Sequence, residues 1–132
     1  FEAVRRTPRT AMRDEYELTD SIQILIDYGY PVRIAPAVKW DMNVTFIGDL
    51  IECCVHVLKK QGKTSLVGRD CAVPDDATLT DTVLGDGARV DHPIRLDRCV
   101  VLPGAAVSST VDLANAVVTT DAVLHASNES NR

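Results

Sequence analysis

From residue 67 to residue 124, large aliphatic residues recur with a fixed period of 17. Within each period the steps are six, six and five residues, and every position holds Val or Leu: Val67, Val73, Leu79, Leu84, Val90, Leu96, Val101, Val107, Leu113, Val118 and Leu124. These steps fit neither the alternation of a strand nor the spacing of an amphipathic helix. A fixed period built from hexads is typical of a hexapeptide β-helix. The pattern therefore predicts four coils, the last incomplete, with one large side chain pointing inward from each flat face.

The residue two places before each large one is usually small. These residues are Cys71, Ala77, Thr82, Ala88, Cys99, Ala105, Ala116 and Ala122, with Ile94 and Val111 as the larger exceptions. We expect the small side chains to lie near the corners of the coil, where bulky ones would crowd its axis. Gly85, Gly87 and Gly104 supply turns that tolerate positive φ.

The first half of the chain has a different pattern. The stretch "ELTDSIQILIDYGYPV" predicts a helix that Thr19 caps and Gly29 ends. Its apolar stripe is formed by Ile22, Leu25 and Ile26.

A strand and a second helix are predicted to follow. "VRIAP" has the composition of a short strand, which Pro36 closes. The second helix is expected to begin near Thr45 and to run through "GDLIECCVHVLKK" to Gly62. Its predicted buried face consists of Leu50, Cys53 and Val57, with either Cys54 or Leu58.

Composition and charge narrow the classes of binding partner expected for this chain. The chain has 132 residues and a net charge of −5, so we expect no nucleic-acid partner. Its one basic run, Arg5, Arg6, Arg9 and Arg13, is expected to be a solvated N-terminal segment. No apolar stretch reaches membrane-spanning length and nothing resembles a signal peptide, which predicts a cytoplasmic protein without a membrane partner. The four cysteines show no metal-ligand spacing and are expected to be small buried hydrophobic residues.

The elements of the first half are too few to enclose a core of their own. The chain also begins at Phe1 on a pattern that indicates a helix already under way, which suggests a fragment of something longer. We predict that residues 1–62 are the closing elements of an α/β domain, that residues 63–126 form the β-helix, and that residues 127–132 are a polar tail. The apolar faces of the first part must then pack on the β-helix, on each other or on another copy of the chain.

Two segments of the first half, together with the hexapeptide repeats, carry a resemblance to a known family. "DEYELTDSIQILIDYGYPV" resembles the "GEYELTDAIQ" region of sugar-1-phosphate nucleotidyltransferases, such as glucose-1-phosphate thymidylyltransferases and mannose-1-phosphate guanylyltransferases. "KWDMNVTFIGDL" resembles the segment near the end of their catalytic domain, and the hexapeptide repeats resemble the β-helix that many of them carry at the C-terminus. The three parts cover nearly the whole chain in the expected order. The resemblance implies an α+β fragment followed by an all-β, left-handed parallel β-helix with 17-residue coils.

The same resemblance implies an activity. The parent would condense a nucleoside triphosphate with a sugar 1-phosphate, releasing pyrophosphate and giving a nucleotide sugar, while the β-helix serves oligomerisation or regulation in a homo-oligomer. In the family two aspartates hold Mg²⁺ across the reacting phosphates. One of them and the glycine-rich nucleotide loop belong to a half of the family fold that this chain lacks. Mg²⁺ is therefore expected in the intact parent, and no cofactor is expected for this chain alone.

Four residues are candidate site residues under this resemblance. Counting back from Asp49 puts Asn43 at the position of the second metal-binding aspartate, whereas anchoring on Trp40 leaves Asp41 as the nearest acid. Asn43 would offer Mg²⁺ a neutral carbonyl oxygen where it prefers a charged one. Glu15 and Glu17 fall in the region that resembles the sugar-binding edge of the family, although acids before a helix also suit its dipole.

Two other functions compete with nucleotidyl transfer. Hexapeptide β-helices also occur in trimeric acyltransferases that use a histidine as general base, for which His92 and His125 are the candidates. The repeat, however, runs without an inserted loop. The remaining alternative is a non-catalytic assembly module, whose flat faces and open coil ends would bind another subunit.

Overall fold

The computed structural model describes residues 1–126, so the predicted polar tail, residues 127–132, lies outside the described residues. The chain forms two compact units, Phe1–Trp40 and Asp41–Arg132. The predicted boundary at residue 62 stays a prediction, but the structure places the second predicted helix in the same unit as the repeats.

The first unit contains two helices, α1 at Glu2–Arg6 and α2 at Leu18–Asp27. They pack on each other around buried Ala3, and the hydroxyl groups of Thr7 and Ser21 lie 2.6 Å apart between them. Helix α2 confirms the predicted helix, but its N-cap is Glu17 rather than Thr19, which lies inside the first turn. Gly29 ends the helix region with φ at 76°, and its N–H donates to the carbonyl of Ile26.

The strand predicted at "VRIAP" is absent from the described chain, where residues 30–46 are irregular except for a bend at residues 39 and 46. A strand forms only when its backbone groups find a neighbouring strand, and no strand of the described chain pairs with this segment. The strand prediction was therefore wrong.

The first regular element of the second unit is helix α3, Ile47–Lys60. Its buried residues are Ile51, Val55 and Leu58, at the spacing of four and three that puts them on one face. Of the predicted face only Leu58, one of its two alternatives, is fully buried; Leu50 and Cys53 are half-buried and Val57 is 43% exposed. The helix carries apolar residues on more than one side, so the surface it packs against decided which side is buried.

The repeats form a parallel β-helix. Its strands are β1 Ser65–Val67, β2 Thr78–Thr80, β3 Thr82–Leu84, β4 Arg89–Val90, β5 Arg95–Val101, β6 Ala106–Val107, β7 Leu113–Val118 and β8 Val123–His125. Among β1 to β7, each parallel pair joins residues 17 positions apart, for example Leu66 with Val83, Leu79 with Leu96 and Arg89 with Ala106. The coil length predicted from the sequence is confirmed, and the architecture is consistent with the left-handed hexapeptide form.

Most of the predicted large and small positions form the core, but Val67, Ala77, Ala122 and Leu124 lie outside it. Its buried members are Leu84, Ala88, Val90, Ile94, Leu96, Cys99, Val101, Ala105, Val107, Leu113, Ala116 and Val118, with Cys71, Val73 and Leu79 partly buried beside them. At the first coil the core is open, because Val67 is 49% exposed. Small residues point inward too, and they leave room beside the large side chains.

At two corners of the coil, the residues have left-handed backbone conformation, and this conformation recurs from one coil to the next. One is formed by Asp70, Gly87 and Gly104 and the other by Asp81, Arg98 and Asn115, and each set is spaced by 17 residues. Asp and Asn tolerate positive φ better than most residues, which explains much of this choice. At the first corner, Gly85 also has no room for a side chain, since a Cβ there would lie 2.6 Å from the backbone nitrogen of Pro103 in the next coil.

The incomplete fourth coil was wrongly predicted. After β7 the chain turns back at residues 119–122, and β8 pairs antiparallel with β7, placing Val117 opposite Leu124. The Thr119 hydroxyl accepts the N–H groups of Asp121 and Ala122, so a tight turn replaces the corner that a further coil would need. Leu124 is consequently 40% exposed instead of filling the axis.

Candidate functional site

Helix α3 lies on one outer face of the β-helix. Ile51 and Val55 form a buried cluster with Val100 and Val117, which point outward from β5 and β7. Val100 and Val117 lie opposite each other in the β5–β7 ladder and so form one apolar patch, which α3 covers. The helix and the β-helix therefore share a continuous apolar contact within the second unit.

An arginine at a corner of the coil reinforces this contact. The Arg98 guanidinium donates to the Glu52 carboxylate on α3 and, at 2.8 Å, to Oδ1 of Asn115 in the next coil. Arg98 itself has φ at 52°, a conformation that few arginines adopt. Sequence reasoning missed this arginine, although its place in the row Asp81, Arg98 and Asn115 marks a recurring corner.

The segment that resembles the end of the nucleotidyltransferase catalytic domain leads directly into α3. Oδ2 of Asp49 accepts the N–H groups of Thr45 at 2.9 Å and Phe46 at 2.8 Å. These two hydrogen bonds hold the pKa of the Asp49 carboxyl below its usual range, and the bond from the Phe46 N–H has the larger effect. Asp49 thus fixes the start of the helix, which is a structural role for the acid in "GDL".

The two predicted metal ligands lie just before this helix. Asp41 and Asn43 are both exposed in the irregular stretch that opens the second unit. Within residues 1–126 no group of three or more His, Cys, Asp or Glu side chains could hold a metal ion. One carboxylate and one amide are far fewer than the six oxygen ligands that Mg²⁺ takes, so these residues could be only part of a site. Their assignment stays a prediction.

The two predicted sugar-binding acids lie in the first unit. Glu15 is exposed, and its carbonyl accepts the N–H of Thr10. Glu17 caps α2 without a side-chain capping bond, and it borders a cavity of about 340 Å³. The other residues of that lining are Val4, Thr7, Tyr16, Leu18 and Ser21. The structure therefore places one of the two acids at a cavity, and the assignment of both stays a prediction.

The histidines considered for acyl transfer are separated along the coil. His92 lies partly buried at the corner before Pro93, and His125 is exposed on β8. The 17-residue register continues without an inserted loop from β1 to β7.

Of the four cysteines predicted to be buried, only Cys99 is, whereas Cys53, Cys54 and Cys71 are half-buried. All four are free, and burial raises the pKa of the Cys99 and Cys54 thiols, with neighbouring Cys53 adding to the effect at Cys54. Neutral thiols suit the small inward position that Cys99 occupies.

One of three comparisons with known proteins supports the assignment of the repeats to a hexapeptide β-helix. Searches of curated proteins and of solved structures give no match. In the described chain no helix has both the length and the apolar character needed to cross a membrane. The model of the family described as "GlmU-like, C-terminal hexapeptide" matches residues 56–129, which is more than half of the sequence and includes all of the repeats. The chain belongs to the GlmU-like family of C-terminal hexapeptide domains.

Proposed function

We propose that this chain is the C-terminal part of a sugar-1-phosphate nucleotidyltransferase, and that its β-helix holds copies of the protein together. The intact protein would join a nucleoside triphosphate to a sugar 1-phosphate with release of pyrophosphate. This proposal combines the resemblance of residues 14–32 and 39–50 with a hexapeptide domain of the kind found in acyl and nucleotidyl transferases.

The packing of α3 is the observation that carries the proposal. The helix begins at Ile47, inside "KWDMNVTFIGDL", Asp49 fixes its first turn, and Ile51 and Val55 bury against Val100 and Val117. The motif that resembles a catalytic domain is thereby joined to the hexapeptide coil through a packed contact. A flexible linker would be expected if the two parts had been combined without a shared role.

Assembly is supported by the open first coil. Among the described residues, strand β1 pairs on one side only, with β3, and Val67 is half exposed at that end. An unpaired edge beside apolar side chains favours association with another chain. At the other end, β8 covers the edge of β7, so the two ends are not equivalent.

The test is the protein expressed from its complete gene, assayed for pyrophosphate release with a panel of nucleoside triphosphates and hexose 1-phosphates in Mg²⁺. We expect release that requires both substrates. Transfer of acetyl from acetyl-CoA to an amino sugar, without pyrophosphate release, would overturn the proposal in favour of the acyltransferase.

Two variants separate the candidate metal ligands, where Mg²⁺ would neutralise charge on the phosphates. If Asn43 occupies the ligand position, Asn43→Asp should lower the Mg²⁺ concentration needed for half-maximal rate. If Asp41 occupies it, Asp41→Asn should raise that concentration and Asn43→Asp should leave it unchanged. Thr45→Val, which alters a nearby side chain without an oxygen ligand role, is the control.

A further inference from the structure

Strand β8 occupies the edge of β7 on which a further coil would stack. It pairs with three residues of β7, which are Ala116, Val117 and Val118. Neighbouring strands of a sheet lie about 4.8 Å apart whether they run parallel or antiparallel. A strand that continued the coil would therefore need the same position and the same backbone groups of β7. Strand β8 and a further coil exclude each other at this edge.

The first coil of a second copy of this chain would fit the same edge. The 17-residue register connects Leu66 with Val83, Val100 and Val117 in one row, and Val67 with Leu84, Val101 and Val118 in the next. Strand β1 of a second copy, placed one coil beyond β7, would thus pair with residues 116–118 in the register that β1 already has with β3. These are the three residues that β8 covers.

The side chains of the two ends also match. Leu66 of the second copy would extend the outward row at Val117, and Val67 would extend the inward row at Val118. Val67 is 49% exposed, and among the described residues β1 pairs only with β3, so this end is open to such a contact. The contact would join different surfaces of the two copies. A contact of that kind that does not close into a ring continues into a fibre.

The repeat pattern alone does not end the coil at β7. Leu124 has the spacing of an inward residue, and the chain would reach that position by continuing around the coil. Instead the Thr119 hydroxyl accepts backbone N–H groups inside the turn at residues 119–122, and the chain reverses. The hairpin extends beyond β8, because the N–H of Ala126 donates to the carbonyl of Asn115 at 2.8 Å. Local hydrogen bonds, rather than a loss of the repeat, close this edge.

The neighbouring edge at the same end is short. Strand β6, Ala106–Val107, has two residues and pairs only with β4 in the described part of the chain. Short edge strands are one way in which proteins avoid pairing with other chains. A coil is a continuous chain that must stack on its faces together, so covering the longer edge at β7 is enough to exclude it.

We infer that β8 and the turn at residues 119–122 cap the coil against head-to-tail stacking of a second copy, whose β1 would otherwise pair with residues 116–118. The cap keeps association through the β-helix finite. The inference rests on the proposed function only in taking the β-helix as the part through which copies associate, and it is independent of pyrophosphate release.

Sedimentation velocity of chains without the cap tests the inference. A variant that ends at Val118 should rise in mass with concentration without levelling off, to at least about ten times the mass of the parent, as an open head-to-tail contact requires. Leu124→Pro keeps the full length but places a residue without an N–H in the middle of β8, and it should raise the mass in the same way. Leu124→Pro decides the outcome if circular dichroism shows that the shortened chain is unfolded. A mass equal to that of the parent in the deciding variant would overturn the inference.

Two substitutions of similarly exposed valines distinguish stacking from unspecific aggregation. In the deciding variant, Val67→Lys puts a charge on the stacking edge and should return the mass to the value of the parent. Val57→Lys on α3, where the valine is 43% exposed, lies away from that edge and should leave the mass high. Equal effects of the two would overturn the inference. A parent that stays monomeric while the uncapped variants stack would refute the proposed assembly role and leave the cap intact.

Discussion

Replacing Leu96 by alanine tests the inward row of the β-helix most sharply. Leu96 is fully buried on β5, between Leu79 of the coil before and Leu113 of the coil after. Alanine would remove contacts on both sides and leave a cavity that neighbouring coils cannot close without shifting their ladders. Buried Leu→Ala changes of this kind cost about 2–5 kcal/mol, and we expect about 3 kcal/mol here.

Leu124→Ala is the matched control, because the sequence repeat puts Leu124 in an inward position and the structure does not. At 40% exposure on β8, Leu124 buries about three-fifths of its surface outside the axis. Burial of a whole leucine contributes about 1.5–3 kcal/mol, so its loss should cost about 1 kcal/mol.

Urea unfolding followed by circular dichroism measures both changes. With a slope of about 1–2 kcal/mol per molar urea for a domain of this size, Leu96→Ala should lower the midpoint by about 2 M and Leu124→Ala by less than about 1 M. Equal costs at the two positions would refute the turn at residues 119–122, and a small cost at Leu96 would refute the inward row.

Three further predictions concern turns, caps and buried hydrogen bonds. Asp49→Ala should destabilise the second unit at pH 7. Because the pKa of the Asp49 carboxyl is lowered in the folded state, the stabilisation is complete above the unfolded pKa of about 3.9 and is lost as pH falls through the folded value. The urea midpoints of the variant and the parent should therefore converge in acid. Gly85→Ala should lower the melting temperature more than Gly104→Ala. A Cβ at position 85 would lie 2.6 Å from the next coil, whereas a Cβ at position 104 has open space and adds only about 1 kcal/mol of strain from the positive φ. The reverse order of melting temperatures would contradict the coil spacing. Thr82→Val removes the buried hydroxyl that accepts the N–H of Cys99 at 3.2 Å, and should cost about 1–3 kcal/mol in urea unfolding, so an unchanged midpoint would contradict that bond.

The coil could be predicted from sequence because its signal is repeated. Each inward position recurs every 17 residues, so a single ambiguous residue such as Ile94 does not change the pattern. The end of the coil was harder. Leu124 matches the repeat, but the turn depends on the Thr119 hydroxyl, which is one local interaction with no periodic signal.

The first half was less predictable because its packing partners decide its structure. Helix α3 has apolar residues on several sides, and Ile51 and Val55 became the buried ones because Val100 and Val117 face them. The strand pattern at "VRIAP" has no partner in the described chain, so alternation alone did not produce a strand. Asp41 and Asn43 likewise depend on partners, since the described residues form no group of three or more His, Cys, Asp or Glu side chains that could hold a metal ion.

Pyrophosphate release by the protein expressed from its complete gene tests the central claim most directly. The account predicts release from a nucleoside triphosphate that stops when the hexose 1-phosphate or Mg²⁺ is omitted. Absence of release with every nucleotide and sugar phosphate, from a protein whose circular dichroism and urea midpoint show that it is folded, would contradict the account.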